Sequence, residues 1–154
     1  MFTRVCKHRL LMLGVAAAPV FSGMACTTMT GTTTTTDTTL LSSMIASVAG
    51  VFVSANKCTT PAGGDHGFQT TFNAVANKLV TITVTGPVTN SRPQIQVRDI
   101  LGTQVANTGA TPTTQTNTTT FTPTGNQLFI LGVSECAGGI AVGSIYTVSV
   151  TQAP

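Results

Sequence analysis

The stretch of residues 78–85 constrains the fold most, because its side chains alternate strictly between apolar and hydroxyl types. The apolar positions are Val80, Ile82 and Val84, and a threonine follows each of them. This two-residue period is that of a strand with one buried face, and β-branched side chains pack well on a pleated surface. Gly86 and Pro87 then end the strand. We predict that it lies centrally in a β-sandwich.

Further segments have strand character and are separated by turn residues. They comprise residues 51–54, 68–74, 94–99, 104–107, 120–122, 127–134 and 144–151. In residues 94–99, Ile95 and Val97 should face the core, with Gln94, Gln96 and Arg98 on the other side. Many short strands with turns between them predict an all-β fold, a single β-sandwich of about seven or eight antiparallel strands.

The first 25 residues have the organisation of a secretory signal peptide. A basic segment containing Arg4, Lys7 and Arg9 precedes an apolar run, residues 10–21. That run is too short to cross a bilayer, for which about 20 residues are needed. We therefore predict export, with residues 1–25 as the leader.

Cys26 follows the leader, and residues 23–25 before it are Gly-Met-Ala. This sequence resembles a bacterial lipobox, in which the cysteine is lipidated and becomes the mature N-terminus. An ordinary signal peptidase would also accept the Gly-x-Ala spacing and would leave Cys26 unmodified. The number of cysteines favours lipidation, since Cys6 leaves with the leader and Cys58 and Cys136 then remain as an even pair. More than one acyl chain would give durable anchoring.

A threonine-rich tether follows Cys26. Ten of the thirteen residues from 27 to 39 are threonine, and such a segment has too few apolar side chains to form a core. Fully extended, it would span roughly 45 Å at about 3.3–3.6 Å per residue. We assign residues 26–44 to the lipidated cysteine and this linker, and residues 45–154 to the sandwich domain.

Residues 40–48 allow two interpretations. Apolar side chains at positions 41, 44, 45 and 48 have the spacing of one face of a short helix. Gly50 and the strand-like residues after it equally allow an irregular lead into the first strand.

Charge is balanced after removal of the leader. Three of the seven basic residues lie in the leader, and the remaining four face four acidic residues. With 7% charged and 42% hydrophobic residues, the chain is neither a disordered polymer nor equipped with a basic surface. We predict no nucleic-acid partner.

Cys58 and Cys136 are predicted to form a disulfide. Neither has the CxxC or Cys/His spacing of a metal site, so we expect no metal and no cofactor. Chain-entropy estimates for so long a loop give a stabilisation of roughly 4 kcal/mol.

The order of strands and turns from about Gly67 to Thr151 resembles the bacterial pre-peptidase C-terminal domain. The matching motifs are FQTTFNAVANKLVTITVTG, PQIQVRDILGTQVANT, TTTFTPTGNQLFILGV and GSIYTVSV. The resemblance implies a sandwich of jelly-roll character that accompanies secreted peptidases as a non-catalytic binding or targeting accessory. This chain differs in carrying a leader and a tether of its own.

One arrangement could support hydrolysis. Asp65 and His66 are adjacent, and Ser134 lies near Cys136, so the predicted disulfide would draw the two loops together. No GxSxG nucleophile elbow is present. We therefore predict no catalytic residues, with a small secreted hydrolase as the alternative.

Asp65, Asp99 and Glu135 are the candidates for a calcium site. They are dispersed and form no DxDxDG-type loop. Asp99 is more simply a turn residue whose carboxylate accepts nearby backbone N–H groups.

The sequence as a whole predicts an exported, lipid-anchored protein of the bacterial cell envelope with a non-catalytic binding or structural module. Its partners would be the membrane, through the lipid, and a protein or glycan at the cell surface. With no Trp and one Tyr, an aromatic sugar platform is not indicated. Free secretion, and self-assembly through exposed strand edges, are the alternatives.

Overall fold

The structure, a computed structural model, describes residues 36–50, 66–109 and 112–154. Within these ranges the chain forms nine strands and no helix, which confirms the all-β prediction. No helix in this part of the chain is long and apolar enough to span a bilayer. The predicted leader, Cys26, Cys58 and the expected strand at residues 51–54 lie outside the described residues.

The nine strands form two antiparallel sheets. The four-stranded sheet has the order β1-β9-β4-β7 and contains β1 (Thr38–Ala46), β4 (Val80–Thr85), β7 (Thr116–Phe121) and β9 (Ile145–Gln152). The five-stranded sheet has the order β2-β3-β8-β5-β6 and contains β2 (Val48–Ala49), β3 (His66–Ala74), β5 (Pro93–Asp99), β6 (Gln104–Asn107) and β8 (Gln127–Glu135).

The chain passes repeatedly between the two sheets. The links from β3 to β4, β4 to β5, β6 to β7, β7 to β8 and β8 to β9 all cross from one sheet to the other. Without the two-residue β2, the sheet orders 1-9-4-7 and 3-8-5-6 are those of an eight-stranded jelly roll. The predicted sandwich of jelly-roll character is therefore what the structure has.

The core lies between the sheets and takes alternate residues from both. From the four-stranded sheet come the inward residues of β4 and β9, and β4 lies between β9 and β7 as predicted for a central strand. The five-stranded sheet contributes the inward residues of β3, β5 and β8. Phe121 of β7, in the four-stranded sheet, packs edge-on against Phe129 of β8 at a centroid distance of 4.8 Å. The core residues of the two sheets with no exposed surface are Val80, Ile82, Val84, Ile95, Val97, Phe129, Leu131, Val133, Tyr146, Val148 and Val150.

Residues 38–46 form a strand, so the short helix at residues 40–48 is wrong. β1 pairs along its length with β9, from Thr38 opposite Gln152 to Ala46 opposite Ile145, with one irregularity between Thr39 and Leu41. Tertiary pairing overrides the weak helical spacing, because an isolated helix of nine residues is marginal, whereas the strand pairs with β9 and packs Leu41 and Ile45 on the core. β1 therefore begins within the threonine-rich segment.

β5 has the predicted alternation but not the predicted exposure. Ile95 and Val97 are buried in the core, while Gln94 and Gln96 on the other face are also buried, at 4% and 3% exposure. The Gln94 side-chain amide donates to the carbonyl of Gly109 at 2.7 Å, and that of Gln96 donates to Gln104. Burial of an amide side chain costs free energy unless it is hydrogen-bonded, and these hydrogen bonds offset that cost.

Candidate functional site

A hydrogen-bonded carboxylate links the two sheets at one end of the sandwich. Glu135 ends β8 and is 3% exposed. Its Oε1 accepts from the backbone N–H groups of Arg92 at 2.6 Å and Ala137 at 2.9 Å, and its Oε2 accepts from the Tyr146 hydroxyl at 2.7 Å. Because Tyr146 lies in β9 of the opposite sheet, the bond ties β9 to β8 through the core.

Tyr146 is held in its protonated form by this environment. Burial in the core, then the hydrogen bond to Glu135 and the negative charge of that carboxylate, raise the pKa of the Tyr146 hydroxyl well above its usual range. Tyr146 therefore acts here as a hydrogen-bond donor, and its ring packs on Phe68 at a centroid distance of 5.7 Å. The arrangement is that of a structural polar link.

His66 lies beside this carboxylate in the strand register. Gly67 pairs with Ser134 in this antiparallel ladder, so His66, one residue before Gly67, falls opposite Glu135, one residue after Ser134. The His66 side chain is 2% exposed, and neither ring nitrogen has a hydrogen-bond partner among the described residues. The hydroxyl of Ser47, also 2% exposed, has no partner in the described part of the chain either.

The structure does not bring His66 and Ser134 together as a catalytic pair. Successive side chains of a strand point to opposite faces, and His66 belongs to the core-facing set of β3 with Phe68. Ser134 belongs to the opposite set of β8, since its neighbours Val133 and Glu135 are the inward ones. Asp65 lies outside the described residues.

Asp99 and Glu135, two of the three carboxylates considered for calcium, are also far apart. Asp99 ends β5 opposite Phe129, at the other end of β8 from Glu135. Six strand residues at about 3.3 Å each separate the two positions by roughly 20 Å. In the described ranges, no group of three or more His, Cys, Asp or Glu side chains could hold a metal ion.

Asp99 is a turn residue, as predicted. Its Oδ1 accepts from the backbone N–H groups of Leu101 at 2.9 Å and Thr103 at 2.8 Å. Gly102, at a φ of +86°, donates to the Asp99 carbonyl at 3.0 Å and completes the turn between β5 and β6. The carboxylate thereby satisfies backbone groups of the hairpin.

A concave site lies beside this hairpin, where β5 and β7 end. It has a volume of about 380 Å³, within the range of small-molecule sites. Val105 supplies exposed apolar surface, while Asp99, Gln127 and threonine hydroxyls supply polar atoms. The sequence gives no sign of the site, because its residues come from four separate segments.

Cys136 follows β8, and its side chain is buried at 6% exposure. Its backbone N–H donates to the carbonyl of Arg92 at 3.1 Å, which fixes the chain after the strand. Cys58 and Cys26 lie outside the described residues. The Cys58–Cys136 disulfide and the lipidation of Cys26 therefore stay predictions.

Comparison of the chain with models of known protein families gives no match, and comparison with curated proteins gives none either.

Proposed function

We propose that the protein is an exported, lipid-anchored component of a bacterial cell envelope whose β-sandwich acts by binding and not by catalysis. The observation that carries this proposal is Cys26, which follows a basic and apolar leader and the small-residue sequence Gly-Met-Ala. Residues 27–37, eleven in all, separate Cys26 from the start of β1. A tether of that length reaches at most about 40 Å, so the sandwich would stay near the membrane surface.

The jelly-roll order of the strands supports a relation to the pre-peptidase C-terminal domain. In such a domain the sandwich is an accessory, and the separation of His66 from Ser134 onto opposite faces of a sheet is consistent with a non-catalytic role. A small group of a protein or glycan partner would bind most readily in the concave site beside Asp99. A hydrolytic activity lost in a folded Ser134→Ala variant would contradict this part of the proposal.

We also propose that Cys58 pairs with Cys136. Cys58 lies eight residues before His66, and His66 begins β3 directly beside the end of β8 that precedes Cys136. Eight residues can cover up to about 26–29 Å, so the pairing is within reach. The export predicted from the leader would supply the oxidising compartment that such a bond requires.

The replacement Cys26→Ser tests the anchor. The wild-type protein should be recovered with membranes, and its intact mass should be that of a chain starting at Cys26 with added acyl groups. The Cys26→Ser protein should no longer be recovered with membranes, or should retain its leader uncleaved, because a hydroxyl cannot form the thioether to the lipid. Cys6→Ser is the matched control, since it removes a cysteine within the leader and should leave both readouts unchanged. A wild-type chain that carries no acyl groups would contradict the lipoprotein proposal.

A further inference from the structure

The four-stranded sheet has long, uncharged edges, whereas the edges of the five-stranded sheet are short. The edge strands β1 and β7 of the first sheet are nine and six residues long, and β6 and β2 of the second are four and two. No strand of the four-stranded sheet contains a charged residue. Proteins commonly protect sheet edges with charge, proline, a bulge or shortness.

β7 is the less protected of the two long edges. β1 has a register irregularity between Thr39 and Leu41, and Asp37 immediately precedes it. β7 contains neither proline nor charge, and its register with β4 is regular from Thr116 opposite Thr85 to Phe121 opposite Val80. β4 is its only strand partner within the described ranges. A regular strand of this kind can accept another strand.

The hydrogen bonds at the start of β7 show which of its backbone groups face outward. The N–H of Gly86 donates to the carbonyl of Gln115 at 2.9 Å, so the backbone groups of Gln115 face β4. Residues that exchange ladder bonds with one neighbour alternate along a strand with residues that face away from it. The backbone groups of Thr116, Thr118 and Thr120 therefore point to the free edge. The side chains of these three residues are also exposed.

These three residues are spaced for pairing with a second copy. If Thr118 lies opposite the same residue of an antiparallel copy, Thr116 of each strand falls opposite Thr120 of the other. The three pairs would exchange up to about six backbone hydrogen bonds. Two of these would share the Thr116 carbonyl with the Thr114 hydroxyl, which already donates to it at 2.8 Å. Such a contact is isologous, and it closes on itself as the commonest protein dimers do.

The threonine side chains would continue the pattern that the sheet already has. Within the molecule, the hydroxyls of Thr83 and Thr118 are 3.1 Å apart, and those of Thr85 and Thr116 are 3.0 Å apart. Cross-strand threonine pairs of this type stabilise antiparallel ladders. Across the edge the same pairs would recur, with no charge on either side to oppose them.

We propose that β7 is a dimerisation edge, on which a second copy of this chain pairs antiparallel through its own β7 about a two-fold axis at Thr118. The contact joins two four-stranded sheets into one of eight strands. It does not depend on the lipid anchor, although confinement of both copies to one membrane would raise their effective concentration. The proposal thus goes beyond the function proposed above.

Two lysine variants test the edge. Thr118→Lys places like charges directly opposite each other at the two-fold axis. Thr83→Lys is the matched control, because it deletes the same hydroxyl pair and adds the same charge on the same face, but one strand inward. Sedimentation equilibrium of the mature protein should show a monomer–dimer equilibrium. We expect Thr118→Lys to raise its dissociation constant at least about tenfold and Thr83→Lys to change it less than about threefold.

A cysteine placed at the proposed two-fold axis gives an independent test of the dimer. Residues opposite each other in a hydrogen-bonded antiparallel pair have Cα atoms about 5.5 Å apart, a distance that a disulfide spans. Thr118→Cys should therefore form a covalent dimer on mild oxidation, whereas Thr83→Cys should not. A wild-type protein that stays monomeric up to about 1 mM would overturn the proposal. So would a dimer that Thr118→Lys and Thr83→Lys weaken equally, or one that Thr118→Cys fails to cross-link. Intact mass of the same sample reports the lipid separately.

Discussion

At the scale of single residues, the bond between Tyr146 and Glu135 has the clearest consequences. Removal of the hydroxyl in Tyr146→Phe should cost about 1–3 kcal/mol of unfolding free energy at neutral pH, because a bond to a buried carboxylate is lost. Urea unfolding measures the loss. Phe68→Leu, which perturbs the same ring contact but keeps the hydrogen bond, separates the packing effect from the polar one.

The same residue sets the behaviour of the protein in alkali. The pKa of Tyr146 is raised in the folded chain, so above about pH 10 the unfolded chain releases a proton that the folded chain retains. Stability should therefore fall as the pH rises through and above that value, and the fall should be shallower in Tyr146→Phe. The chain has one tyrosine, so near-ultraviolet tyrosinate absorbance reports this group alone. Tyrosinate formed at ordinary pH in the folded protein would refute the argument.

The role of Glu135 could not be predicted from the sequence. Its partners Arg92 and Tyr146 are 43 and 11 residues away along the chain, and only the strand register brings them together. Asp99 was predictable because both of its partners lie within four residues of it. Side-chain roles that depend on local turns can thus be inferred from spacing, and those that depend on sheet pairing cannot.

At the scale of strands, close approach between β3 and β8 fixes one residue type. A Cβ atom at Gly67 would overlap the carbonyl oxygen of Val133 on the paired strand. Gly67→Ala should therefore destabilise the fold by about 1–3 kcal/mol, since the strands must separate to admit the methyl group. Chemical unfolding measures this. Gly125→Ala is the control, because nothing lies within 4 Å of a Cβ there, and its effect should stay within about 0.5 kcal/mol. Equal effects of the two replacements would show that β3 and β8 can move apart freely.

Strands with one apolar face were predictable, and strands whose pattern is mixed were not. β4 and β9 alternate cleanly, and their inward residues are fully buried. β1 has partly buried residues at Leu40, Leu41 and Ile45, a spacing that fits a helix face nearly as well as a bulged edge strand. The start of β7 at Thr116 could not be located from the sequence, because threonines occur both in the loop before β7 and in the strand itself.

At the scale of the whole molecule, the predicted link between Cys58 and Cys136 would close a loop of 78 residues. Loss of such a link typically costs about 2–4 kcal/mol. Cys58→Ala and Cys136→Ala should each show this loss, and the double variant should lose about as much as either one, because the first replacement already breaks the bond. Urea unfolding of all three variants, in oxidising buffer, measures the cycle. Losses that add, or a wild-type protein whose stability is unchanged by a reductant, would mean that the two cysteines are not joined, and the fold would then rest on its two sheets and their core alone.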